Sequence, residues 1–179
     1  MYPEAPSHIT AVSIPIGSNV FFKGSKLTGC IAFKGTGLLP KLLLQEAEIM
    51  ELLMRNPHPN IIHYHNCLIK RGRIVGLVLD RCPMTLEHRQ KSGLRDFNVE
   101  VCMSGITLAV KHLHFPKPAH NDLTPMNIMV DEHDTPTIVN LGSCQPLGRT
   151  LITASTPGWI EEDYTILARQ HDEIALGKI

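Results

Sequence analysis

The sequence lacks the features that mark several protein classes. Its 17 basic and 17 acidic residues leave no net charge, so no bulk attraction draws the chain to nucleic acid or to an anionic membrane. No apolar run is long enough to span a membrane, and the first six residues lack the basic and apolar regions of a signal peptide. We therefore expect neither a nucleic-acid partner nor a membrane partner.

The cysteines and histidines form no recognisable metal or disulfide pattern. No two cysteines are spaced as C-x-x-C, and their number is odd, which favours reduced thiols in an intracellular, cytoplasmic protein. The pairs His63/His65 and His112/His114 have no further cysteine or histidine at ligand spacing. We interpret them as surface or hydrogen-bonded histidines rather than metal ligands. The five cysteines are Cys30, Cys67, Cys82, Cys102 and Cys144.

The first half of the chain predicts a small sheet and one long helix. Hydrophobic residues make up 43% of the sequence, as in globular proteins. Residues 1–19 are proline-rich and predict an irregular lead-in. The predicted elements are strands Val20–Lys23 and Ile31–Lys34, a helix Leu42–Arg55 opened by Pro40, and strands Ile61–Lys70 and Arg73–Asp80 joined by a turn at Arg71-Gly72.

The second half predicts a helix followed by loops and short strands. Apolar residues at helical spacing predict a helix from Asp96, as its cap, to His114. Strands are predicted at Ile128–Val130 and Thr137–Val139. Since sheet, helix and hairpin follow in separate blocks, the predicted fold class is α+β.

The segment after the second helix carries the clearest chemical signal. Asp122 and Asn127 place a carboxylate and an amide five residues apart in a loop that leads into a short strand. Phosphoryl transfer uses such a pair, the carboxylate to accept a hydroxyl proton and the amide oxygen to bind magnesium. His120, Asp122, Leu123 and Asn127 match the H-R-D-L-x-x-x-N loop of protein kinases, with Asn121 in place of the arginine. The chain resembles a protein kinase of the eukaryotic Ser/Thr type.

This resemblance implies a two-lobed fold with a small sheet-plus-helix lobe and an incomplete helical lobe. The kinase-like domain would cover residues 20–179, with the small lobe at about 20–80 and a partial large lobe at about 81–179. Gln170–Gly177 resembles the start of the central helix of the large lobe, whose Asp172 would brace the catalytic loop. The sequence ends shortly after this segment, and we expect a truncated domain.

The glutamate of the first helix is the expected partner of a phosphate-binding lysine. Glu46 lies within an apolar stripe, where a charge is normally paired. Two lysines are candidates. Ile31–Lys34 matches the kinase V-A-I-K strand better in its letters, but only eleven residues separate Lys34 from Glu46. Lys23 leaves more room for the connection and resembles a family of fungal kinase-like proteins, so we favour Lys23.

The resemblance implies a nucleotide and metal site with altered chemistry. ATP would contact Lys23, Glu46, Leu79, Asp80, Cys82, Asn127 and Asn140. Mg²⁺ would be bound weakly by Asn127 and Asn140, since Asn140-Leu141-Gly142 stands where kinases have D-F-G and a neutral amide replaces the carboxylate that Mg²⁺ prefers. No G-x-G-x-x-G loop precedes either lysine.

The expected function is ATP-dependent phosphate transfer to protein serine or threonine, with Asp122 as base and impaired activity. The alternative is a pseudokinase or remnant that acts as a binding module. A small-molecule kinase of the aminoglycoside type also uses an H-x-D-x-x-x-x-N loop, but Thr156-Pro157-Gly158-Trp159 is typical of protein kinases. No residue identifies the protein substrate or binding partner.

Overall fold

The computed structural model describes residues 2–11, 19–24, 37–93, 96–115, 118–146, 156, 158–159 and 169–179. The chain forms two compact units. One comprises Met1–Pro57 with His63–Arg81, and the other His58–Ile62 with Cys82–Ile179. The short segment His58–Ile62, which the sequence analysis assigned to the small lobe, belongs to the second unit because Ile138 donates to the Asn60 carbonyl and Ile62 donates to the Ile138 carbonyl.

The first unit contains a three-stranded antiparallel sheet in the order β1-β3-β2. The strands are β1 (Val20–Gly24), β2 (Tyr64–Lys70) and β3 (Arg73–Asp80). Arg71 and Gly72 both have positive φ, 52° and 70°, which is the backbone of the tight hairpin turn that suits the strand twist. The hairpin prediction is confirmed, whereas strand β2 begins at Tyr64 and not at Ile61. The predicted strand Ile31–Lys34 lies outside the described residues.

One long helix, α1 (Leu38–Met54), accompanies this sheet. It begins before Pro40 and not at Leu42, because a proline in the first turn lacks only an N–H that would have no partner in the helix. Leu43, Ala47 and Met50 are buried on one face, as their helical spacing predicts.

The N-terminal segment pairs with the sheet, which the prediction of an irregular lead-in did not include. Ala5 donates to the Gly72 carbonyl, and Thr10 accepts from the backbone of Cys67. Thr10 also donates through its backbone N–H and its hydroxyl to the buried carboxylate of Glu51, at 2.8 and 3.0 Å. Residues 2–11 therefore satisfy backbone groups at the hairpin and a buried charge on helix α1.

The second unit is built around helices and short strands. Its helices are α2 (Leu86–Lys91), α3 (Val99–His114) and α4 (Arg169–Lys178), and its strands are β4 (Met84–Thr85), β5 (Pro118–Ala119), β6 (Ile128–Val130), β7 (Pro136–Ile138) and β8 (Gln145–Pro146). Strands β4, β6 and β7 form one antiparallel sheet, and β5 pairs with β8. Strand β6 matches its predicted bounds, and strand β7 begins and ends one residue before the predicted strand Thr137–Val139.

The start of helix α3 corrects the predicted cap. Asn98, and not Asp96, caps the helix by accepting from the backbone N–H of Val101 at 3.0 Å. The backbone N–H of Asn98 donates in turn to Asp134, a buried carboxylate that also pairs with Arg89 at 2.9 Å. Asp96 has a φ of 66° and precedes the cap. Both Asp and Asn are good caps, so the tertiary contact with Asp134 decided between them.

Helix α2 was not predicted from the sequence. It is short, and Thr85 caps it by accepting from the backbone of His88. Leu86 is its one fully buried residue, so the helix carries no apolar periodicity for a sequence pattern to reveal.

Buried thiols are consistent with the predicted reduced state. Burial raises the pKa of both Cys67 and Cys102 to about 11, which keeps them protonated near neutral pH. Among the described residues no helix is long and apolar enough to cross a membrane.

Gly105 is required where helix α3 approaches strand β7. A Cβ at this position would lie 2.6 Å from Pro136 Cγ and 2.9 Å from the Asn60 side-chain nitrogen. We therefore expect Gly105→Ala to lower the free energy of unfolding by roughly 1–3 kcal/mol through overpacking. Urea unfolding followed by circular dichroism measures this loss. Gly177→Ala is the matched control, because its Cβ meets nothing within 4 Å and alanine favours the helix. An equal effect of the two substitutions would contradict the prediction.

Candidate active site

In the first unit, the predicted glutamate is paired with a lysine. Lys23 Nζ lies 2.5 Å from Glu46 Oε1, and the Glu46 side chain is only 7% exposed. The pair explains how a carboxylate can occupy the apolar face of helix α1, since a buried charge is costly unless it is paired. Lys23 reaches this face from the next-to-last position of strand β1. Lys34, the alternative lysine, lies outside the described residues.

Leu79, Asp80 and Cys82 follow one another at the end of strand β3 and beyond it. Leu79 is buried and lies opposite Phe21 on one neighbouring strand and Tyr64 on the other. Asp80 donates its backbone N–H to the His63 carbonyl, and its carboxylate is about half exposed. Cys82 is partly exposed. The contacts of these three residues with ATP stay a prediction.

In the second unit, the loop between strands β5 and β6 is held by its own side chains. Asn127 Nδ2 donates to the Asp122 backbone carbonyl at 2.7 Å and to Asp122 Oδ2 at 2.9 Å. His120 is fully buried. Its Nε2 atom is 3.0 Å from the carbonyl oxygen of Val139, and its Nδ1 atom accepts a hydrogen bond from the backbone N–H of Asp122. The residues that match the kinase loop are thus the ones that fix its conformation.

Asp172 braces this loop, as the sequence predicted. Its carboxylate is fully buried and accepts from the backbone N–H groups of His120 and Asn121, at 2.8 and 2.9 Å. A third contact, from His114 Nε2 at 2.8 Å, joins helix α3 to the same carboxylate. Helix α4 therefore fixes the loop backbone immediately before Asp122.

Thr156 is a contact of Asp122 that the sequence did not reveal. Its backbone N–H and its hydroxyl both donate to Asp122 Oδ1, at 3.0 and 2.8 Å. Asn127 contacts the other oxygen. One carboxylate oxygen is therefore held by a residue close in sequence and the other by a distant residue. The contact spans 34 residues, and the only signal for it was the Thr156-Pro157 pair within a kinase-like segment.

Asn121 occupies the arginine position as a buried neutral residue. Its backbone has a φ of 61° and its side chain donates to the Ala119 carbonyl at 2.7 Å. Asn121 Oδ1 lies 3.1 Å from His171 Nδ1. Burial lowers the pKa of His171, although the nearby Asp172 acts in the opposite direction. The Asn121 side chain therefore joins the loop to helix α4 without the buried positive charge that an arginine would bring.

Asn127 and Asn140, the two predicted metal ligands, lie together. Asn140 Nδ2 donates to Asn127 Oδ1 at 3.0 Å, and Asn140 has a left-handed φ of 62°. Mg²⁺ favours carboxylate oxygens, whereas both of these side chains are neutral and each engages the other. The residues at these positions are thus a poor fit for a tightly bound Mg²⁺.

The α+β fold, the lysine–glutamate pair and the braced His-x-Asp loop define a kinase-like domain. The family model described as the protein kinase domain matches residues 34–160. The chain therefore belongs to the protein kinase domain family.

Similar proteins carry the same classification. The chain is 29% identical to the serine/threonine-protein kinase/endoribonuclease IRE1 of Hypocrea jecorina, over 57% of its length and 10% of that protein. It is 26% identical to the cyclin-dependent kinase 4 homolog of Caenorhabditis elegans, over 67% of its length and 31% of that protein. It is 27% identical to a probable serine/threonine-protein kinase MRK1 homolog of Encephalitozoon cuniculi, over 52% of its length and 31% of that protein. The matches thus span less than a third of each relative.

Proposed function

We propose that this kinase-like domain binds ATP and transfers its terminal phosphate to protein serine or threonine at a rate lowered by Asn140. The observation that supports the proposal best is the orientation of Asp122. Its carboxylate is held by Asn127 and Thr156 in a loop that Asp172 braces. A base held in one orientation removes part of the entropic barrier to reaction.

The proposed roles follow from these contacts. Lys23, oriented by Glu46, would bind the α- and β-phosphates, and Leu79, Asp80 and Cys82 would contact the adenine ring. Asp122 would accept the hydroxyl proton as the substrate oxygen bonds to the γ-phosphorus and the bond to the β-phosphate oxygen breaks, releasing ADP. When bound, Mg²⁺ neutralises charge on the phosphates. Asn127 and Asn140 fit Mg²⁺ poorly, and this poor fit is the proposed reason for the low rate.

The comparisons and the cysteines support the proposed substrate class and location. Relatives named as serine/threonine-protein kinases favour a serine or threonine acceptor. Reduced, scattered cysteines favour an intracellular, cytoplasmic location.

A second candidate is a pseudokinase that binds a partner protein without phosphate transfer. The hydrogen bond between Asn140 and Asn127 favours it, because an amide that engages its neighbour offers no charge for Mg²⁺. Retention of Asp122 and of the Lys23–Glu46 pair favours the enzyme. The two candidates differ in whether labelled phosphate appears on a protein acceptor.

Thermal unfolding with and without ATP tests the nucleotide site. At an ATP concentration about a hundredfold above its dissociation constant, we expect a Tm increase on the order of 5 °C. Lys23→Ala should remove most of this increase, since the phosphates lose their cation. Lys70→Ala is the control, because Lys70 is an exposed lysine at the end of strand β2 of the same sheet. A wild-type Tm that ATP leaves unchanged would contradict ATP binding, and a full increase in Lys23→Ala would contradict the proposed contact of Lys23 with the phosphates.

A further inference from the structure

Three metal-ligating side chains converge on the sheet of the first unit. His65 Nε2 lies 2.6 Å from Asp80 Oδ1, and His63 Nδ1 lies 3.7 Å from Asp80 Oδ2. The two imidazole rings are 4.6 Å apart between centroids and nearly perpendicular. One ligand atom of each residue lies within 4.8 Å of those of the other two. Neither histidine has a role in the proposed phosphotransfer, whereas Asp80 also has a proposed contact with the adenine ring.

The sheet register explains why these side chains meet. Tyr64 pairs with Leu79, and both are buried. The pleat directs His63 and Asp80, which follow this pair at one end, to the opposite, more exposed face. His63 and Asp80 are adjacent there, since Asp80 donates its backbone N–H to the His63 carbonyl at 3.0 Å. A register shift between Tyr64 and Asn66 places His65 at a β-bulge, and bulges redirect side chains.

The sequence interpretation of the histidine pair did not take Asp80 into account. That interpretation considered only cysteine and histidine close in sequence. Asp80 is fifteen residues from His65 and reaches it through the neighbouring strand.

The geometry points to a site for a divalent transition-metal ion, and we propose that His63, His65 and Asp80 bind Zn²⁺. Imidazole nitrogen and carboxylate oxygen are ordinary zinc ligands, at bond lengths that place tetrahedral ligand atoms about 3.4 Å apart. The side chains are 35–54% exposed, so small rotations can bring the observed separations to this value. Two nitrogen ligands disfavour Mg²⁺ and Ca²⁺, which prefer oxygen.

Three protein ligands leave the fourth tetrahedral position open to water. A bound ion would join the start of strand β2 to the end of strand β3 in addition to their backbone hydrogen bonds. The site shares Asp80 with the proposed adenine contact, whereas neither histidine belongs to the candidate active site, so substitutions of the histidines test zinc binding separately from phosphotransfer.

Titration calorimetry of ZnCl₂ into the full chain, free of affinity tag and pretreated with chelator, tests the proposal. We expect one ion per chain with a dissociation constant on the order of micromolar, and at least tenfold weaker binding in His63→Ala and in His65→Ala. MgCl₂ should give no comparable binding. The control removes two other exposed histidines, His88 and His133, and H88A/H133A should bind like the wild type.

Two results would overturn the site: no zinc binding by the wild type, or unchanged binding by H63A/H65A. Circular dichroism establishes that each variant is folded. If the double variant does not fold, the visible absorption spectrum of Co²⁺ bound to the wild type tests the site instead. Intense visible bands, reduced in His63→Gln, are expected for tetrahedral coordination, whereas weak bands that this substitution leaves unchanged would contradict it.

Discussion

Substitution of Asp172 by alanine is expected to lower the free energy of unfolding by about 3–5 kcal/mol, the loss typical when one partner of a buried charged cluster is removed. The carboxylate is fully buried and accepts from the backbone of His120 and Asn121 and from His114. Its removal leaves two buried backbone donors without their acceptor, and each costs roughly 1–3 kcal/mol. Few single substitutions have an effect of this size.

Urea unfolding monitored by circular dichroism measures this effect. Glu173→Ala is the matched control, because Glu173 is the next acidic residue of helix α4 and is exposed; its loss should stay within about 0.5 kcal/mol. Asp172→Asn retains one carbonyl acceptor and should lie between the two. If Asp172→Ala destabilises no more than Glu173→Ala, the brace does not stabilise the domain.

Local patterns predicted the parts of the molecule that depend on neighbours in sequence. The buried stripe of helix α1 follows from helical spacing, and the hairpin follows from Arg71-Gly72, whose positive φ values the turn requires. The Lys23–Glu46 pair could also be predicted, since a carboxylate on a buried helix face normally has a partner. The loop at Asp122 was recognised because its determinants lie within eight consecutive residues.

Contacts between distant segments could not be predicted in this way. Thr156 contacts Asp122, Thr10 contacts Glu51, and Asp80 contacts His65, and none of these pairs shares a periodic pattern. The choice of Asn98 over Asp96 as the cap of helix α3 depends similarly on Asp134. Such contacts are decided by how the strands and loops pack, and a sequence pattern carries only the order of residues along the chain.

Restoration of a carboxylate at Asn140 is expected to raise phosphotransfer at least tenfold, provided that the metal site is the only defect. Aspartate tolerates the left-handed φ of 62° about as well as asparagine, so Asn140→Asp should fold like the wild type. It replaces a neutral amide, now hydrogen-bonded to Asn127, by the charged oxygen ligand that Mg²⁺ favours. A tenfold rate increase corresponds to about 1.4 kcal/mol of transition-state stabilisation, which is modest for one added charge near a divalent ion.

The assay measures transfer of labelled phosphate from ATP to a generic protein acceptor as Mg²⁺ is varied. Asn140→Asp should show higher activity and a stronger dependence on Mg²⁺ than the wild type. The double variant N140D/D122N is the control, because the gain must disappear once the proposed base is an amide. A gain that survives in the double variant would assign the activity to something other than Asp122. No gain in Asn140→Asp, although Mg²⁺ increases its stabilisation by ATP in the thermal assay, would favour the pseudokinase, since the metal would then be bound without the reaction.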